Sequence, residues 1–107
     1  MINNLMKYSD VARLKDVCEI RTNFPNADFW IVRKGSESTV GTPTKTFSSE
    51  AIGIKVTHPE IVLAEYLFYW FQHIHSTGFF KREPHGTLKL VNIKTDDIKN
   101  IPIVTAS

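Results

Sequence analysis

The chain has 107 residues, 42% of them hydrophobic and 22% charged, with 13 Lys and Arg against 11 Asp and Glu. That is the length of one compact domain, and its apolar content, twelve aromatic side chains included, argues against disorder because it can offset the entropy of ordering. The formal charge of +2 has the sign of a nucleic-acid binder without the strong basic excess of an autonomous one.

Cys18 is the only cysteine, which excludes an intramolecular disulfide and a thiolate metal cluster and fits a reducing cytoplasm. Residues 1–10 lack the apolar run of a signal peptide. The longest apolar-rich stretch, Ile61 to Phe71, contains Glu65 and falls short of the roughly 20 residues that span a bilayer. A soluble cytoplasmic protein without a membrane partner is expected.

Residues 1–10 read as a flexible lead-in, and 11–107 as a single domain. Val11, Leu14, Val17 and Cys18 recur at helical spacing, yet the same region alternates well enough for a strand. The preferred reading is a short turn and then a strand from Val17 to Arg21, ended by Asn23, Pro25 and Asn26. Phe29 to Arg33 is the clearest strand, because all but its last residue are β-branched or aromatic. Thr39 to Pro43 reads as a short strand or extended loop in which Pro43 forbids a central position. In Ala51–Val56 the alternation puts Ile52, Ile54 and Val56 on one face and Gly53 opposite.

Thr57 to Glu60 has capping-box spacing, but Pro59 disfavours a helical His58, so a helix is expected from Pro59 to Ser76. Its apolar stripe is Leu63, Tyr66, Leu67, Trp70, Phe71 and Ile74, with Phe68 and Tyr69 off the stripe as candidates for a protein-contact patch. Leu88, Leu90 and Ile93 suggest a strand. Thr95 is expected to cap a short helical turn through Asp96, Asp97 and Ile98, followed by an extended Ile101–Pro102–Ile103 at an edge. Together these elements predict an α+β fold: a small, curved, mostly antiparallel sheet with one principal amphipathic helix packed on it.

At this point the order of segments matches a known pattern. Leu14–Thr22, with its Leu-x-Asp-Val start, resembles the opening strand of the target-recognition domain of type I restriction–modification specificity subunits. Asp28 through Gly35 and Ser36, Ala51–Ile54, the Glu65-Tyr66-Leu67 helix, Gly86-Thr87 and Asp97–Ile103 resemble the segments that follow in that family. The similarity runs from Leu14 to Ile103 and is carried by order, since each piece is a short hydrophobic pattern. Asn23 stands where the family has a glycine, the stretch from Pro25 to Asp28 is shortened, and the long helices that space two recognition domains are not in this sequence.

The resemblance implies a DNA reader whose polar loops reach base edges and phosphates of double-stranded DNA. Three turns supply suitable donors: Arg33 and Lys34 with Ser36 and Ser38; Thr42, Thr44 and Lys45; and Lys81, Arg82, His85, Thr87 and Lys89. Ordinary solvated turns are the alternative for each.

His73 and His75 sit at i and i+2 on the helix and so point to different faces, which does not make a metal pair with His85. No nucleophile with a base and no Gly-rich phosphate loop is legible, so neither catalysis nor a cofactor is expected. The function expected is therefore a non-catalytic DNA-binding module. The alternative is a protein-interaction module, an adaptor or inhibitor of phage or mobile-element type, that imitates such a subunit and binds a methyltransferase or other restriction component. A homodimer through the helix or an edge strand is open to either.

Overall fold

The computed structural model describes residues 11–35, 38–78 and 93–104. In chain order the elements are β1 (Val11–Arg13), α1 (Leu14–Val17), β2 (Cys18–Thr22), β3 (Phe29–Ile31), β4 (Pro43–Thr44), β5 (Ile52–Val56), α2 (Ala64–Ser76), α3 (Thr95–Lys99) and β6 (Pro102–Val104). They form a four-stranded sheet in the order β2-β5-β3-β4 and a two-stranded sheet of β1 and β6, with every pairing antiparallel. The fold is α+β, with α2 as its main helix.

Alternation decides which face of the larger sheet is buried. Register aligns Ile20, Ile54 and Phe29 in one row and Thr22, Ile52 and Ile31 in the next. These residues share the face toward α2, where the Phe29 ring meets Phe68 at 5.6 Å and Phe71 at 5.9 Å, both edge to face. Leu67 and Phe71 are fully buried there, and burial of each is worth roughly 1.5–3 kcal/mol. Cys18 joins this core, and burial together with nearby Asp28 pushes its thiol pKa up to about 12.

The opposite face holds Arg21, Gly53, Trp30 and Thr44 in one row. The turn between β2 and β3 folds over it. A Cβ on Gly53 would lie 2.7 Å from the Phe24 Cβ and 2.9 Å from the Ala27 Cβ, so only glycine lets that turn close. The Trp30 Nε1–H donates to the Phe24 carbonyl at 2.9 Å, and the Arg21 guanidinium sits 3.9 Å from the centre of the Phe24 ring. Asn23 enters this turn at φ 52°, the left-handed conformation that Asn tolerates where the resembled family has glycine.

Several boundaries differ from the sequence reading. β3 ends at Ile31, two residues early, and Thr39–Gly41 is a turn, with the strand confined to Pro43–Thr44 at the sheet edge. The main helix starts at Ala64, not Pro59. Residues 58–62 instead form a turn in which the N–H groups of Ile61 and Val62 donate to the His58 carbonyl, and Leu63 is extended at ψ 144°.

The helix is also rotated from the expected stripe. Leu63 and Tyr66 are 61% and 60% exposed, whereas Phe68 packs on the core. Tyr69 is exposed as expected. Thr95 is the first helical residue of α3 and not its cap. The cap position is Lys94, whose N–H donates to the Asp97 carboxylate at 2.8 Å, just as Arg13 N–H donates to Asp16 at 2.9 Å above α1. The expected lead-in over 1–10 and most of the strand expected over Leu88–Ile93 lie outside the described residues.

The smaller sheet joins the two ends of the described chain. Leu14 N–H donates to the Ile101 carbonyl at 3.0 Å, and Arg13 Nη1 donates to the Asn100 carbonyl at 3.0 Å. Leu14, Val17, Ile93, Ile98, Ile101 and Ile103, with Val40 and Val62, complete the buried cluster.

Candidate nucleic-acid interface

Two loops carry the described candidates. The two ends of the loop between β3 and β4 are joined by backbone bonds: Val32 N–H donates to the Thr42 carbonyl and Gly41 N–H to the Val32 carbonyl, and Val40 is buried. Gly41 adopts φ 91°, which glycine supplies at no steric cost. The loop between β4 and β5 runs from Lys45 to Ala51.

Arg33 and Lys34 leave β3 toward the second loop. Arg33 Nε donates to the Glu50 carbonyl at 3.0 Å, and Lys34 Nζ lies 3.5 Å from Glu50 Oε1. A cleft of about 150 Å³ opens between the loops, lined by Val32, Arg33, Lys34, Thr44, Ser48, Glu50 and Ala51. Its volume is well below the ~300–1,000 Å³ of ordinary small-molecule pockets, so a cofactor-sized ligand does not fit.

Thr42 and Lys45 lie elsewhere. Thr42 Oγ1 is 3.4 Å from His75 Nε2, near the end of α2. The same Nε2 is 3.2 Å from the Ser38 carbonyl, which can only accept, so Nε2 carries the proton and ties the β3–β4 loop to the helix. Lys45 reaches α2, with Nζ 3.7 Å from Glu65 Oε1 and 4.7 Å from the centre of the Phe68 ring. Ser36, Lys81, Arg82, His85, Thr87 and Lys89 lie outside the described residues. Ile93, which follows the third basic turn, donates its N–H to the Arg33 carbonyl at 2.9 Å.

The structure thus gathers Arg33, Lys34 and Thr44 around one cleft, while Thr42 and Lys45 face the helix. Both described lysines of the expected face have a carboxylate neighbour from another element. Glu50, Glu65, Ser48 and His75 were not among the DNA-contact residues expected from the sequence. Nothing local signals them, since Glu50 meets Arg33 across 17 positions and His75 meets Ser38 across 37.

His73 is exposed on α2. Among the described residues no group of three or more His, Cys, Asp or Glu side chains is placed to hold a metal ion, and no helix is long and apolar enough to cross a membrane.

Comparison with protein-family models, with curated proteins and with solved structures returned no match.

Proposed function

We propose that this chain is a non-catalytic module that binds double-stranded DNA in the cytoplasm, as the type I target-recognition domains it resembles would. The observation that carries this reading is the polar edge built from the β3–β4 and β4–β5 loops, where Arg33, Lys34, Thr44 and Ser48 meet around one cleft on a rigid sheet. The order of the resembled segments adds support, because the opening Leu14–Thr22 and the closing Asp97–Ile103 pack on each other. Groove reading would fall to the polar loops. Charge would come from Arg33, Lys34, Lys45, Lys81, Arg82 and Lys89, with hydroxyls and an imidazole from Ser36, Thr42, Thr87 and His85.

Fluorescence anisotropy with a labelled mixed-sequence duplex tests it. If all six cations contact phosphates, log K falls against log salt with a slope of about −5. A curve that is flat between low and physiological salt overturns the reading.

A second reading has its own observation. Leu63, Tyr66 and Tyr69 expose more than half of their surface along one flank of α2, which suits a protein partner such as a methyltransferase subunit, another restriction component, or a second copy. A chain that ignores DNA but co-purifies with a methyltransferase subunit, losing it on Tyr66→Ser, would establish this second reading in place of the first.

A further inference from the structure

We propose that the cleft between the two loops is a phosphate-binding site, in which a phosphodiester oxygen of DNA takes the place now held by the Glu50 carboxylate. The inference rests on the DNA reading and specifies where the first backbone contact is made.

The donor chemistry of the cleft is the argument. Thr44 Oγ1 accepts the Thr46 N–H at 3.1 Å and Ser48 Oγ accepts the Glu50 N–H at 3.3 Å. Each hydroxyl therefore has its acceptor side engaged by backbone and its proton left to donate. Lys34 adds a cation, and Arg33 fixes the spacing of the loops through its bond to the Glu50 carbonyl. Val32 and Ala51 provide the apolar part of the lining. Glu50 also lines the cleft, and its carboxylate is an anion 3.5 Å from Lys34 Nζ. That pairing shows that Lys34 accepts a negatively charged oxygen beside the cleft.

The pair is built to exchange. The Glu50 side chain is 66% exposed and that of Lys34 53%, so the carboxylate can swing into water at little cost while the lysine stays. A phosphate in its place keeps the charge pairing and also takes the two hydroxyl protons, which suit phosphate oxygens. The size of the cleft agrees, since it accommodates a small anion and no larger ligand.

The test measures binding of a labelled 20-bp duplex across a salt series, and of inorganic phosphate by amide chemical shifts, for wild type, Glu50→Gln, Lys34→Ala, the double variant, and Glu19→Gln. Glu19 is the control, since it pairs with Arg21 on β2 at the opposite edge of the sheet and loses the same charge. Glu50→Gln should tighten DNA binding three- to tenfold near 0.1 M salt and steepen the salt slope by about one. In the Lys34→Ala background the gain should vanish.

If Glu50→Gln binds DNA no tighter than Glu19→Gln, the site is overturned while the DNA reading stands. If no variant binds DNA, yet inorganic phosphate shifts the amides of residues 32–34 and 48–51 more in Glu50→Gln than in wild type, the site stands and the DNA reading falls. If neither ligand binds, both fall.

Discussion

The contact between α2 and the centre of the sheet differs in kind from the loop edge beside β4. In the first, Phe29, Ile31, Ile52, Ile54, Leu67 and Phe71 interdigitate with almost no exposure, so geometry follows from volume. In the second, Lys34, Lys45, Glu50 and Glu65 hold one another through exposed ion pairs, and geometry follows from exchangeable charge. One region can be perturbed only at the expense of the fold. The other can be rearranged with the fold intact, which is what a recognition surface requires.

Substitutions should separate the two regions, the largest effects falling in the core. Phe71→Ala removes a ring with no exposed surface and should cost about 3–5 kcal/mol, a large part of the total stability of such a domain, read as a lowered urea midpoint by circular dichroism. Gly53→Ala drives a methyl into Phe24 and Ala27 on the second face of the sheet, and should lower the urea midpoint by an amount equivalent to about 1–3 kcal/mol. Asn23→Ala at positive φ should cost about 1 kcal/mol, while Asn23→Gly should be near neutral, a contrast that denaturant melts can resolve.

Cys18 gives a pH signature of the same core. Its folded pKa is raised, so the stability it contributes is complete below pH 9 and is lost as pH climbs toward 12. The alkaline fall in stability should therefore be shallower in Cys18→Ala than in wild type. Smallest of all, Lys34→Ala should shift stability by less than about 0.5 kcal/mol while weakening DNA binding. A comparable loss in both would mean that the edge is structural.

What sequence could show divides along the same line. The alternation of Ile52, Ile54 and Val56 and the edge position of Pro43 were legible, because each follows from local period or from one residue's chemistry. The start of α2 was not. The period runs through Leu63 and Tyr66 as if they were core, but the turn over 58–62 consumes the chain that would have formed the first helical turn, and both side chains end in solvent. The edge was legible as residue types and not as pairs. Lysines announce a polar turn, but which carboxylate answers each is fixed by how the loops fold back, and Glu50 and Glu65 carried no mark of it.

The pairing of Val11 with Val104 across β1 and β6 has an implication for engineering. Because these strands are neighbours, the segment from Val11 to Val104 can be spliced into a surface loop of a host protein with little loop-closure entropy, the host's two stumps needing only to stand one strand spacing apart.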